Sequence, residues 1–289
     1  MVSRLDPEDF RAYRLVLDPE DFAIGDDEPN PAPTDLIPQD AWEAITTLPG
    51  DVAIRTSNHQ GTRIAILHEL RVGWLRFMPE TDILSDAMLE VSDDFDAAMF
   101  NLLHGYYRQA IGGLRNAVEV MTLGCACAIA GDKQTWASWE TGDKTKFKEV
   151  CDRLHWLPTV QVLEDEARQR TGTSLYAGEN GNGRNAWARS LYQRLSRFSH
   201  TRGDTTNGHL WESNGPVYSP LGFQLSYHAF LETFALVLLV AKVACPEFAR
   251  PREARFVHQV DSREGFLEPP FRALSAHYTA ALFGAKGNP

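Results

Sequence analysis

The sequence predicts a mainly α protein: a helical bundle with an acidic, Pro/Asp-rich N-terminal extension. Apolar residues recur at three- and four-residue steps over most of the chain, the spacing that keeps them on one helix face. Period-two alternation, which a half-buried strand requires, is scarce. Hydrophobic residues make up 43% of the 289, enough to fill a core.

Residues 1–50 read as the extension and residues 51–289 as the helical domain. Leu5-Asp6-Pro7-Glu8-Asp9-Phe10 recurs as Leu17-Asp18-Pro19-Glu20-Asp21-Phe22. Each copy has the grammar of a helix start: Asp as N-cap, Pro at the first helical position, acids in the first turn. Two capping turns satisfy that pattern, and so does a repeated element that presents Phe10 and Phe22 to a protein partner. Gly25–Pro38 reads as a linker. Gln39–Thr47 predicts a short helix stopped by Pro49-Gly50, and Asp51–Thr56 is the best candidate for a strand.

From Asn58, the positions of Ile64, Leu67, Leu70, Trp74, Phe77 and Met78 predict a helix that ends at Pro79. Ser92-Asp93-Asp94 is expected to cap the next, which carries Phe95, Met99, Leu102 and Tyr106, with Asp93, Asp94 and Asp96 as first-turn acids. Leu114, Val118, Met121, Cys125 and Ile129 continue the period to Gly131. Either Gly105 or Gly112-Gly113 kinks this run or splits it into a hairpin. Shorter helices follow over Trp136–Trp156 and Thr159–Arg170, with His155 and Trp156 expected to pack near a helix end. Gly178, Gly181 and Gly183 mark a loop that lacks a phosphate-cradling pattern. Arg184–His200 and Leu221–Ala244 are helical, the latter the expected central core helix. Arg263–Phe283 offers a last helix interrupted at Pro269-Pro270.

The formal charge is −11, from 39 acidic and 28 basic residues. Residues 1–40 hold 11 Asp or Glu against 3 Arg, so the remainder is close to neutral. An acidic total disfavours broad nucleic-acid binding, while a neutral body leaves room for a local basic site. Cys125, Cys127, Cys151 (after a Lys-rich stretch) and Cys245 lack the spacing of a disulfide framework or a zinc site, and buried reduced thiols are expected. No metal or cofactor is implied. Met1–Phe10 lacks the pattern of a signal peptide. Phe230–Cys245, interrupted by Glu232 and Lys242, falls short of the roughly 18–20 residues of a membrane span. A cytoplasmic protein without a membrane partner is the expectation.

Five arginines stand between Arg184 and Arg202 with no acid among them, and His200 lies within that stretch. On a helix, Trp187, Leu191, Leu195 and Phe198 share one face, with Arg194 at its edge beside Trp187. A guanidinium there needs an acceptor, because a buried unpaired charge costs several kcal/mol. Glu119 is the first candidate. Arg115 and Glu119 are also i, i+4 neighbours and can pair with each other.

Gly105-Tyr106-Tyr107-Arg108-Gln109-Ala110, Leu114-Arg115-Asn116-Ala117-Val118-Glu119 and Leu191-Tyr192-Gln193-Arg194-Leu195-Ser196-Arg197-Phe198-Ser199-His200 together resemble the HEPN-like helical superfamily. The likeness is greatest to its abortive-infection and uncharacterised bacterial branch, and covers about residues 92–245. The resemblance implies a homodimer and an RNA-directed component of a prokaryotic defence or toxin-type system. It further implies a metal-independent ribonuclease whose site is Arg194 and His200, supported by Glu119, Arg115 and Arg197. His suits general acid–base work near neutral pH and Arg suits the phosphate. Many such proteins are instead non-catalytic interaction or sensor subunits, which is the alternative reading. An ideal helix through His200 would point that side chain about 120° away from Arg194, so a shared site needs the helix to end near Phe198 or a partner chain to complete it.

Overall fold

The computed structural model describes residues 39–74, 82–176, 186–199, 215–247 and 251–284. The chain divides into two compact units, Met1–Leu48 and Pro49–Pro289. In the first, the described residues form helix α1 (Gln39–Thr46). Both Leu-Asp-Pro-Glu-Asp-Phe copies and Gly25–Pro38 lie outside the described residues.

The remaining helices are α2 (Leu48–Trp74), α3 (Asp82–Leu103), α4 (Tyr107–Ala130), α5 (Lys133–Glu140), α6 (Phe147–His155), α7 (Pro158–Thr171), α8 (Trp187–Ser199), α9 (Pro220–Ala244), α10 (Pro251–Glu264) and α11 (Pro269–Phe283). Among the described residues the only β pairing is one isolated bridge, Ser174 with Ala186. The fold is mainly α.

Asp51–Thr56, expected as a strand, is helical. Pro49 falls in the first turn of α2, where a missing N–H breaks no bond, so Pro49-Gly50 opens a helix instead of stopping one. Within this stretch Val52 and Thr56 are buried, a four-residue step, and Thr56 Oγ1 donates to Val52 O at 2.8 Å. The backbone leaves helical geometry at Gln60 (φ −125°, ψ 16°).

Helix α3 begins well before Ser92-Asp93-Asp94, which lie inside it. Ile83, Leu84, Ala87, Met88, Val91, Phe95, Ala98 and Leu102 are all buried, a continuous helical stripe that needs no cap at Ser92. Asp96 is not a first-turn acid but the ion-pair partner of Arg71, with Arg71 Nη2 donating to Oδ2 at 2.9 Å. Of the two glycine sites, Gly105 makes the split and Gly113 runs through α4. Gly105 has φ +79°, and a Cβ there would meet Val217 O at 2.2 Å. Only glycine fits both demands.

Helix α4 packs on α3, α8 and α9. Phe95 of α3 meets Phe230 and Phe234 of α9 at ring distances of 4.9 and 5.6 Å, and Trp74 of α2 meets Phe234 at 5.8 Å. The expected central helix is therefore central, and its two charges are both held. Glu232 is described below. Lys242 Nζ donates to Pro246 O and lies 5.5 Å from the Phe283 ring. By length and composition α4 and α9 could each cross a bilayer, but 61% and 78% of their most apolar windows are buried inside the fold.

The four cysteines are buried and free, and burial pushes the Cys151 thiol up to about 12. The expected span Arg263–Phe283 is broken next to the proline pair: α10 ends at Glu264, residues 265–268 are not helical, and Pro269 opens α11. Helix α10 has no counterpart among the expected elements, although Ala254, Val257 and Val260 give it a buried stripe. His155 is mostly buried, but Trp156 is 67% exposed and does not pack as expected.

Candidate functional site: a basic, aromatic cleft

Arg194 does find a buried acceptor, and it is Glu232 rather than Glu119. Its Nη2 donates to Glu232 Oε1 and its Nη1 to Glu268 Oε1 at 2.7 Å. Glu232 also accepts the Trp187 indole N–H at 2.9 Å. Burial pushes the Glu232 carboxyl upward against the pull of Arg194 and Trp187. The guanidinium carbon sits 5.9 Å from the Phe271 ring, and Phe271 stacks on Trp187. The helical-wheel reading that sets Arg194 beside Trp187 is correct, and the partner comes from α9 because that edge of α8 faces α9 and α11. The carboxylate that interrupts the most apolar stretch of the sequence is the signal for it.

The expected site residues therefore separate. Arg115 and Glu119 pair with each other, Nη2 to Oε2 at 3.1 Å. Arg115 also reaches α8: Nε donates to Ser196 Oγ at 3.2 Å, and Nη2 donates to the Tyr192 hydroxyl. The Tyr192 hydroxyl lies 3.4 Å from Glu119 Oε2. Arg197 is exposed on α8. His200 lies outside the described residues. Helix α8 ends at Ser199, and Arg108 Nε donates to the Phe198 carbonyl at 2.8 Å, a cation at the negative end of the helix.

Arg115 and Glu119 line a cleft of about 830 Å³ that sequence reasoning did not find. Its walls are α4 (Arg115, Asn116, Glu119), α8 (Arg189, Tyr192, Gln193), the end of α5 (Trp139), residues 142–146, and the start of α6 (Phe147, Lys148). Gly142 takes a left-handed backbone in the connecting segment, at φ +96°. Five cations (Arg115, Lys144, Lys146, Lys148, Arg189) and two carboxylates (Glu119, Asp143) line it, and Glu149 and Asp152 of α6 pair with Lys146, Lys148 and Arg189, so the cleft with these partners carries a small net positive charge in an acidic chain.

Its aromatic floor is fixed. Phe147 stacks on Tyr192 with ring centroids 4.0 Å apart and planes 13° from parallel, and the Arg115 guanidinium lies 4.6 Å from the Tyr192 ring centroid. Arg189 is 5% exposed. Its Nη2 is held by Asp152 and the Lys148 carbonyl, while its buried Nε has no acceptor among the described residues. Lys146 and Lys148 are mostly exposed, each beside an acid of α6. A volume within the usual 300–1,000 Å³ range and convergent cations suit a phosphate-bearing ligand.

No protein-family model, no curated protein and no solved structure matches the chain.

Proposed function

We propose that the protein is an RNA-directed binding component, and that the cleft between α4, α6 and α8 holds one or two nucleotides of a single strand. The observation that carries this reading is the lining: five cations around a stacked Phe147–Tyr192 pair. Cations neutralise phosphates without reading the bases attached to them. The resemblance of the α4 and α8 segments to HEPN-like proteins supports the same substrate class, in a prokaryotic defence or toxin-type system. Binding is put ahead of cleavage because Arg194, the expected phosphate ligand of a ribonuclease site, is engaged by Glu232 and Glu268.

The test is fluorescence anisotropy with a short labelled single-stranded RNA across a salt series. Replacing Lys144, Lys146 and Lys148 by Gln should weaken binding at least about 10-fold and flatten the log–log salt slope by about 0.7 for each phosphate no longer neutralised. Unchanged affinity in that variant would overturn the site. If wild-type protein cleaves the RNA to 2′,3′-cyclic ends without metal, and His200→Ala abolishes this, the ribonuclease reading replaces the binding one.

A further inference from the structure

Arg189 is the most buried of the five cations that line the cleft. Only part of its guanidinium is used. Nη2 donates to the Lys148 carbonyl at 3.2 Å and to Asp152 Oδ1, and Nε is sealed from water. Nη1 has no partner among the described residues and is not sealed, and the space that Arg189 lines is the cleft. Asp152 does not cancel the charge here, because its other oxygen lies 3.7 Å from Lys148 Nζ. One carboxylate between two cations leaves one positive charge in excess.

The bond to the Lys148 carbonyl sets this guanidinium against the first turn of α6, and that turn is open. Lys146 stands at the N-cap with an extended backbone (φ −90°, ψ 119°) and no side-chain cap. Glu149 N and Val150 N donate to the Lys146 carbonyl, whereas the N–H groups of Phe147 and Lys148 have no acceptor among the described residues. Glu149, the acid of the first turn, is exposed and pairs with Lys146 Nζ at 2.9 Å, so it does not fold back onto those N–H groups. Lys146, Phe147 and Lys148 line the same cleft. Uncapped N–H groups at a helix start favour an anion, and a buried guanidinium with a free N–H edge beside them favours one that is phosphate- or carboxylate-like.

We propose that Arg189 and the N-terminus of α6 form a seat for a phosphate monoester, so that the cleft holds a strand by a phosphorylated end. This rests on the reading of the cleft as an RNA site. A phosphate inside a strand has two free oxygens, one charge and a sugar on each side. A terminal phosphate has three free oxygens and a charge of about −1.5 to −2 at pH 7. The seat offers donors to match, Nη1 of Arg189 and the N–H groups of Phe147 and Lys148. Arg189 is also too deeply buried for a continuous strand to pass across it, and a group that ends a chain is the one that reaches it. A 5′-terminal and a 3′-terminal phosphate share this chemistry.

The test uses the full-length protein and one short single-stranded RNA, labelled within the strand, in three forms: hydroxyl at both ends, 5′-phosphate and 3′-phosphate. Fluorescence anisotropy should give at least one phosphorylated form an affinity about 10-fold or more above that of the hydroxyl form, and the form that gains identifies the end that is held. Lys146→Asp supplies the missing cap and puts a carboxylate on the seat, so this variant should fold at least as well as the wild type and lose the preference. Arg189→Lys keeps a cation beside Asp152 and removes Nη1. It should lose the preference too, with the hydroxyl form bound within about 3-fold of wild type. Should Arg189→Lys not give the wild-type circular dichroism spectrum, Lys146→Asp decides alone. Equal affinity for the three forms, or a preference that survives either folded variant, overturns the seat and leaves the RNA reading standing. If no form binds, the RNA reading falls, and calorimetry with uridine 5′-monophosphate and with uridine tests the seat by itself. Binding of the monophosphate alone, lost in Lys146→Asp, upholds the seat, and no binding at millimolar concentration overturns it.

Discussion

Glu232 stands in the middle of the most apolar helix because two donors from α8 meet it there, the Arg194 guanidinium and the Trp187 N–H. Glu232→Leu removes the buried acceptor of both and should cost about 2–4 kcal/mol, whereas Glu268→Gln at an exposed position should cost less than about 1. Urea unfolding of the two variants checks the order. Asp94 makes a second residue-scale prediction. Burial lifts its carboxyl to about 7 against a 2.9 Å hydrogen bond from Asn116, with Glu90 and Asp93 adding to the rise. The folded state therefore holds that proton more tightly than the unfolded chain does. This contribution to stability is complete below the ordinary carboxylate range near pH 4, and it is lost as pH rises through about 7. Asp94→Asn should flatten the fall in stability between those limits and leave the variant relatively more stable at pH 8. An unchanged slope in unfolding experiments would contradict the assignment. At this scale the sequence is informative about exposure and less so about partners. The position of Arg194 follows from helical geometry, but its acceptor depends on which helix lies alongside.

The turn between α3 and α4 and the start of α9 are built against each other. Gly105 abuts the Val217 carbonyl, Tyr107 accepts a hydrogen bond from Ser219 N at 3.0 Å, and a Cβ on Gly222 would lie 2.4 Å from the Tyr107 ring. Gly105→Ala combines a left-handed backbone with a backbone clash and should cost at least about 2 kcal/mol. Gly222→Ala meets a side-chain ring that can shift, and should cost less, about 1–2 kcal/mol. Thermal unfolding of both variants tests the ranking. The helices themselves are legible wherever an apolar stripe is long. Their ends are hardest to read at proline, since Pro49 and Pro269 suggest breaks yet open helices. Proline is compatible with a first turn and incompatible with an interior, so the residue alone leaves open which side of it is helical. The cleft is invisible in the sequence for a related reason: its walls come from α4, α5, α6, α8 and a short connection, and no single segment shows them together.

For the molecule as a whole, the charge deficit is a property of composition and not of every surface. The excess of acids resides largely in the first 40 residues and in faces such as the Asp86–Glu90 edge of α3, while the cleft between α4, α6 and α8 is basic. The chain buries most of α9 itself, so the apolar length of this helix supplies no surface for the homodimer that the resemblance implies. The same burial has a consequence in time. Helix α4 ends roughly 90 residues before α9 begins, and at about 5–20 residues per second a ribosome needs about 5–20 s to deliver the second after the first. Helix α3 covers one side of α4 at once, but the side that belongs against α9 has no partner during that interval. It is then an exposed apolar face on a helix long enough to span a bilayer. Production of this protein thus depends on how its longest apolar surfaces are sheltered between their synthesis and their meeting.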